Sequence, residues 1–227
     1  MYLEADSRHL AARFLPFAAK AVTYTALYGI IPYIKDSGCC TILYKERYIM
    51  KRTECHPGRR CCGLWLMLVG AVTAAAAAFG GRFYIHPVIF LAGFWVCFYI
   101  GNVSRTVRRR FSDGKMSNKQ LKTIFLSMGV MFLVMSVIAG PFIGRQDWRM
   151  VWLGVFTATG VHFFMLKNVH GIAIAVLGTI CCAISAAGYV FPAISMNFIA
   201  LSDSAAKIIF GAFMLFITPR ERSETAV

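Results

Sequence analysis

Residues 63–80 read GLWLMLVGAVTAAAAAFG, a stretch of 18 residues without a charged side chain. A helix needs about 20 mostly apolar residues to cross a hydrocarbon layer of about 30 Å. The stretch ends at Gly80 and Gly81, whose backbone freedom favours a helix end. It therefore predicts a transmembrane helix.

Five more apolar stretches follow, and proline or glycine lies at the ends of several of them. His86–Pro87 opens the second, with proline at an early helical position where its missing N–H costs nothing. The sixth is the shortest, and residues 194–201 before it are expected to help it enter the membrane. The pattern predicts an all-α, polytopic bundle of about six transmembrane helices, whose later spans are residues 84–103, 123–143, 150–166, 171–191 and 204–218.

The composition excludes an ordinary soluble domain. Hydrophobic residues make up 58% of the chain and charged residues 15%, against roughly 25% charged in a typical soluble domain. The net charge of +14 raises the question of nucleic-acid binding. The basic residues, however, lie in short segments between apolar stretches, as anionic lipid headgroups and membrane topology require. We therefore expect the lipid bilayer as partner, and no nucleic acid.

Lysine and arginine are distributed unevenly between the two sides of the predicted bundle. From Met50 onward, if the residues before the first span are cytoplasmic, fourteen of them face the cytoplasm and three face outward, with Lys207 just inside the outer end of the sixth helix. Because cytoplasmic loops are enriched in positive charge, we expect both ends of the bundle in the cytoplasm and the protein in the bacterial plasma membrane. The residues expected to fix the topology and to contact anionic headgroups are Arg105, Arg108, Arg109 and Arg110.

The first 49 residues do not continue this pattern. They fit an in-plane amphipathic helix, a seventh span through residues 14–34, or a segment that is not translated, with Met50 as the start. Lys45–Glu46 is compatible with a ribosome-binding purine run just before that methionine. Residues 50–62 then form a basic cytoplasmic lead-in, residues 63–218 the transmembrane domain, and residues 219–227 a cytoplasmic tail.

Carboxylates are scarce in the apolar region. Between Cys55 and Arg220 there is no glutamate, and the aspartates are Asp113, Asp147 and Asp203. General acid–base catalysis uses positioned groups with tuned pKa values, and none is grouped here. The cysteine and histidine spacing fits no standard zinc motif. We expect no catalytic activity, no cofactor and no metal site.

His162 is the ionisable side chain predicted deepest in the bundle, with His170 eight residues further along near the inner side. A neutral histidine at that depth can donate a hydrogen bond to a backbone carbonyl or to a hydroxyl on another helix. The alternatives are a role in pH sensing, substrate contact or metal binding. Both histidines are therefore candidate functional residues.

Two charged pairs complete the set of candidates. Asp147 is expected to cap the fourth helix, with Arg149 reaching the headgroups; a small extracellular recognition patch is the alternative. Asp203 and Lys207 are four residues apart, acid first, which suits a helical ion pair. We place them at the start of the sixth helix, near the interface, with a substrate-carboxylate site at Lys207 as the alternative.

Several motifs between residues 60 and 218 carry a resemblance: CGLWLMLVG, GGRF-x-x-HP, GP-x5-DWR-x-x-WLG, and VHG near Lys167. The chain resembles a family of small, uncharacterised multi-pass membrane proteins of Gram-positive bacteria, a domain of unknown function. The resemblance leaves residues 1–49 outside. It implies a membrane location and carries over no activity and no functional residue.

Together these features favour a non-enzymatic integral membrane protein. It is expected to be a subunit or accessory protein that packs against itself, as a homo-oligomer, or against a membrane partner. The alternative is a small transporter or permease with His162 near the pathway and a broken helix at Gly140–Pro141. An enzyme acting on lipid is the third interpretation.

Overall fold

The computed structural model describes His56, residues 58–112 and residues 116–217. The predictions for residues 1–49 and 219–227 lie outside these residues, as does Asp113. The described residues form helices and turns and contain no strand, so the predicted all-α class is confirmed. The helices are α1 (Arg59–Ala78), α2 (Pro87–Phe98), α3 (Arg105–Phe111), α4 (Asn118–Ile143), α5 (Trp148–Met165), α6 (Lys167–His170), α7 (Ile172–Val190) and α8 (Met196–Ala212).

Four helices are long and apolar enough to cross a membrane: α1, α4, α7, and α8 together with the π-helical turn that extends it to Phe216. A fifth span results if α2 and α3, which are bent by 57°, are taken together. Helix α5 has 18 residues, but Arg149 and His162 reduce its apolar character. Four or five of the six predicted spans are therefore supported by length and composition.

Polar side chains begin several helices, and two of them, His86 and Asp147, lie at the predicted positions. His86 accepts a hydrogen bond from Ile89 N ahead of Pro87, as expected. Ser117 and Gln120 form a capping box at the start of α4, and Asp147 Oδ1 accepts from Met150 N at 3.2 Å at the start of α5. These contacts satisfy backbone N–H groups that the first helical turn leaves unpaired.

The prediction for the sixth helix was wrong at its start. Helix α8 begins at Met196, after the Ser195 cap, and not at residue 204. The segment taken as a connection forms its first two turns, because the Ser195 hydroxyl accepts from Phe198 N at 3.3 Å and opens the helix there. Asp203 and Lys207 therefore lie in the middle of α8 and not near its end.

The third predicted span ends at Ile143, as α4 does, whereas the break at Gly140–Pro141 that the permease alternative expected is not present in α4. Helix α4 continues through both residues to Ile143. Pro141 lies in the last turn, where little helix remains for its missing N–H to disrupt. The helical ladder changes instead at two π-helical turns, Tyr99–Val103 after α2 and Phe213–Ile217 after α8.

The most extensive helix contacts join α8 to α1, and α5 to both α7 and α4. The closest approach is between glycines: a Cβ on Gly211 would lie 2.6 Å from Gly63 O, and a Cβ on Gly63 would lie 2.7 Å from Gly211 O. The absence of side chains at both positions lets the α1 and α8 backbones touch, as small residues do between membrane helices.

The turns of the bundle alternate between its two ends. At one end Gly58 packs against Met116 and His170. At the other, Trp152 Nε1 donates to Phe83 O at 2.8 Å, so the α1–α2 turn lies beside the start of α5. Successive turns of the chain therefore lie at alternate ends of the bundle, as expected for consecutive antiparallel helices.

The two larger apolar clusters of the interior lie one toward each end, and a small third cluster joins Ala139, Phe142 and Val151. The first surrounds Leu66, Phe163 and Leu177, and the second surrounds Trp152 and Phe156. Buried polar side chains lie between them along the helices. We call this set the polar layer; its members are Thr73, Thr157, His162, Ser185, Asp203, Ser204 and Lys207.

Candidate functional site

Several hydroxyl groups of the polar layer are satisfied by backbone carbonyls of their own helices. Thr73 donates to Val69 O at 2.8 Å, and Ser204 donates to Ala200 O at 2.7 Å. Thr157 and Ser185 are 2.7 Å apart and join α5 to α7. These bonds remove the cost of burying the hydroxyls, and the groups therefore act in packing.

Asp203 and Lys207 form an ion pair in the polar layer. Asp203 is 0% exposed and Lys207 2% exposed. The carboxylate binds the ammonium through Oδ2, whereas Oδ1 is buried without a hydrogen-bond partner in the described part of the chain. The predicted pairing is confirmed. The pair is buried in the middle of α8, however, and does not lie near the interface as predicted.

Other groups surround this pair. The Lys207 ammonium lies 5.5 Å from the centre of the Phe156 ring, a distance suited to a cation–π interaction. The Cys181 thiol, on the neighbouring helix α7, interacts with the Asp203 carboxylate. The pair thus joins α8 to side chains of α5 and α7.

His162 belongs to the same layer and is 1% exposed. Its Nδ1 lies 2.8 Å from Thr159 O. Because a carbonyl only accepts, Nδ1 carries the proton in a neutral ring, and Nε2 is then a hydrogen-bond acceptor. The expected bond to a backbone carbonyl is confirmed, and its partner lies on the same helix one turn earlier.

Two cavities meet at His162. The larger, about 80 Å³, also contacts Lys207 and lies between α1, α2, α4 and α5. The smaller, about 30 Å³, contacts His170 and is large enough for a water molecule. Trp65 borders both cavities, and its Nε1 is buried without a partner among the described residues.

His170 is buried at the end of α6, outside the candidate spans. Burial lowers the pKa of His170 to about 3, and nearby His56, His162 and Arg59 lower the pKa further in the same direction. The ring is therefore neutral at pH 7. The structure brings the two predicted histidines to one small cavity, although eight residues separate them in sequence.

The other predicted residues lie at the two ends of the bundle. Asp147 caps α5 as expected. Arg149 donates to Ile194 O and Gly188 O, both at 2.9 Å; its contact with headgroups stays a prediction. Gly188 O, in the last turn of α7, has no helical partner and carries partial negative charge, so it attracts the guanidinium; Ile194 O lies in the turn between α7 and α8. The four arginines of α3 are exposed at the opposite end.

Sequence reasoning missed Thr159, Trp65 and Cys181. The spacing of Thr159 and His162, three residues apart on one helix face, was the available signal for the first. For Trp65 and Cys181 no local signal existed, because their role depends on which helices pack together. No group of histidine, cysteine and acidic residues among the described residues is arranged to hold a metal ion.

The described residues define an all-helical protein with four or five helices suited to crossing a membrane and with buried ionisable groups at its centre. Residues 49–224 match DUF6609, a family of unknown function, and the chain belongs to that family. No curated protein and no solved structure matches the chain. The resemblance to a family of unknown function is confirmed, and the Gram-positive origin stays a prediction.

Proposed function

We propose that this is a non-enzymatic integral protein of the bacterial plasma membrane, with six membrane-crossing helices and both ends of the bundle in the cytoplasm. The observation that carries the proposal is the outer surface of α4. Within its most apolar 18 residues, 17% are buried inside the bundle. Phe125 is 70% exposed, Leu126 62% and Leu133 65%. Water-soluble proteins rarely expose apolar surface of this extent, whereas lipid accommodates it.

The sixth crossing is proposed for α5. At 1.5 Å per residue, its 18 residues extend over about 27 Å. It packs along both α4 and α7, which are candidate spans, so the three helices share one depth. Its two charged or ionisable groups are accommodated: carbonyls bind Arg149, and His162 donates to Thr159 O.

The proposed lack of catalysis rests on how the carboxylates are used. Among the described residues the carboxylates are those of Asp147 and Asp203. The first caps a helix and the second is bound to Lys207. Neither carboxylate lines one of the two cavities, whereas proton-transfer catalysis needs an acid–base group that reaches its substrate. We therefore propose a subunit or accessory protein that packs against a second copy of itself or against a membrane partner.

The experiment determines membrane insertion and orientation together. In a cysteine-depleted background, Ser117→Cys and Gln146→Cys place a thiol at exposed positions at opposite ends of the bundle. We expect the protein to resist carbonate extraction. In sealed cells a membrane-impermeant maleimide should label the Gln146→Cys variant and not the Ser117→Cys variant. Carbonate-soluble protein or the reverse labelling would overturn the proposal.

A permease is the second candidate, since two cavities meet at the buried imidazole of His162. Thr159 borders the larger cavity, and its hydroxyl is bound to Val155 O. A permease predicts that a Thr159→Cys variant reacts with a water-soluble methanethiosulfonate from one side of the membrane. In an accessory protein the same thiol stays unreactive, while exposed Gln146→Cys reacts in both cases.

A further inference from the structure

The larger cavity is the inner end of a groove between α2 and α4. Its walls are apolar and rich in aromatic rings, with Phe90, Phe94 and Trp95 on α2 and Phe132 on α4. Its floor is fully packed: Leu66 and Phe163 are each 0% exposed. We call it the lateral groove, because the floor closes it on the bundle side.

The groove opens sideways from the bundle. At its mouth Leu91 is 56% exposed and Phe132 41% exposed. Within the described residues, α2 packs mainly on α1, and α4 mainly on α5, so the two helices that form the walls have no extensive contact with each other. In the membrane orientation proposed above, the mouth faces lipid acyl chains and not water.

The inner end of the groove is polar. Lys207 and His162 both border it and are both more than nine-tenths buried. The lysine ammonium has three N–H groups, and among the described residues its hydrogen-bond partner is Asp203. His162 presents Nε2 as an acceptor, since Nδ1 is used on Thr159 O. The two side chains therefore supply one donor and one acceptor to the same cavity.

The charge at this end is balanced. Asp203 neutralises Lys207 within the protein, so the site offers no net charge to attract a charged head group. Such a head group would also lose its hydration on entering the groove. Burying an unpaired charge is costly. A hydroxyl or a protonated carboxyl group is uncharged, and it can both accept from Lys207 and donate to His162.

We propose that the lateral groove binds a single-chain amphiphile from the bilayer. Its uncharged hydroxyl or carboxylic acid group bonds with Lys207 and His162, and its chain passes between α2 and α4 into the lipid. The cavity volume of about 80 Å³ is roughly half that of a cavity that accepts benzene. It therefore holds the head group and the first carbons. This inference rests on the membrane location in the proposed function.

The test uses the full chain in liposomes and a decanol probe that carries a diazirine and an alkyne. After illumination, labelled peptides are identified by mass spectrometry. We expect labelling on the α2 and α4 walls, reduced by excess decanol or by decanoic acid at low pH, and unaffected by decyltrimethylammonium. The two uncharged competitors separate the alcohol from the acid as the preferred head group.

Two matched variants locate the site. Leu91 lines the mouth, whereas Val88, one turn earlier on α2, is 66% exposed and does not line the groove. Both positions are exposed, so neither replacement disturbs the core. Leu91→Trp should narrow the mouth and weaken competition by decanol about tenfold, a change of 1.4 kcal/mol; Val88→Trp should leave competition unchanged.

Three results would overturn the inference. The first is equal labelling of all lipid-exposed helices with no effect of decanol. The second is equal competition by the permanently charged amphiphile. The third is cross-linking that shows a second copy of the chain seated in the groove. A failure of the proposed function can be distinguished from a failure of this inference. If the protein is not an integral membrane protein, carbonate will extract it from the same liposomes.

Discussion

Lys207 is an ammonium group in the middle of an apolar helix, and its stability there depends on Asp203. Removing one member of a buried ion pair leaves an uncompensated charge and typically costs about 3–5 kcal/mol, whereas replacing both members by apolar residues is often neutral. We therefore expect Asp203→Leu and Lys207→Met each to lower the melting temperature in detergent by roughly 10 °C. The double variant should recover most of that loss.

Ser204→Ala is a suitable control, because the neighbouring Ser204 hydroxyl bonds only within its own helix among the described contacts. It should shift the melting temperature by far less than either single variant. If the double variant loses stability by the sum of the two single losses, the side chains do not form the coupled pair described here.

His170 makes the stability of the protein dependent on pH. Its pKa is lowered to about 3 in the folded protein, against about 6.5 in an unfolded chain. The unfolded chain therefore binds more protons between these two values, and stability falls as the pH drops below about 6.5. At pH 5 this amounts to about 2 kcal/mol.

The measurement is the melting temperature between pH 7.5 and 5 for the unmodified chain and for His170→Gln. The variant removes this titration, so the loss on acidification should be smaller in the variant. His86→Gln is the matched control, since His86 is a partly exposed helix cap. Equal pH dependence in the His170→Gln variant and the unmodified chain would show that His170 is not the responsible group.

Among single residues, local interactions could be predicted and tertiary partners could not. The Asp147 cap follows from the residue types around one helix start. The acceptors of Arg149 could not be predicted, because Gly188 O and Ile194 O lie 39 and 45 residues away in sequence. No local pattern shows which carbonyls α7 and α8 bring to this side chain.

At the scale of helices, glycines fix the distance between α1 and α8. A Cβ on Gly211 would meet Gly63 O at 2.6 Å and Met67 N at 2.9 Å, both backbone atoms, whereas a Cβ on Gly129 of α4 meets nothing within 4 Å. We expect Gly211→Ala to force the two helices apart and to lower the melting temperature by several degrees. Gly129→Ala should be neutral or stabilising by up to about 1 kcal/mol through helix propensity.

Thermal unfolding of the two variants in one detergent measures the difference directly, since both replacements lie within helices and have the same intrinsic propensity gain. The contact between the α1 and α8 backbones would be disproved if Gly211→Ala were as stable as Gly129→Ala.

Helix positions were predicted well where apolarity alone defines them. The bounds of α7 differ from the predicted 171–191 by one residue at each end. The prediction failed for the start of α8 because Asn197 and Asp203 lower the apolarity of its first half. Burial of Met196, Ile199, Ala200 and Asp203 against α1 and α7 makes that half internal, and this depends on contacts that are not visible in the sequence.

At the scale of the whole molecule, the polar layer is the feature that the sequence did not reveal. His162, Asp203 and Lys207 were each candidates, but sequence separates the histidine from the pair by about 40 residues. They meet because α5 and α8 each contribute side chains to both apolar clusters, and these three residues lie between the two contributions. The predicted depth of a residue depends on where its helix begins. Because α8 was predicted to begin at residue 204 instead of Met196, Asp203 and Lys207 were placed near the interface and not at the depth of His162.

The distribution of positive charge over the molecule leads to the last prediction. Arg105, Arg108, Arg109 and Arg110 are exposed on α3, at the end of the bundle proposed to be cytoplasmic. Each basic residue near an anionic membrane surface contributes about 1 kcal/mol. We expect replacement of all four by glutamine to let a detectable minority of molecules insert in the reverse orientation.

The signal is maleimide labelling of a Ser117→Cys thiol from outside sealed cells. Arg82→Gln and Arg145→Gln, at the opposite end, should leave this thiol protected. Labelling that rises in the Arg82→Gln and Arg145→Gln variants, and not in the α3 variant, would reverse the assignment of the two ends.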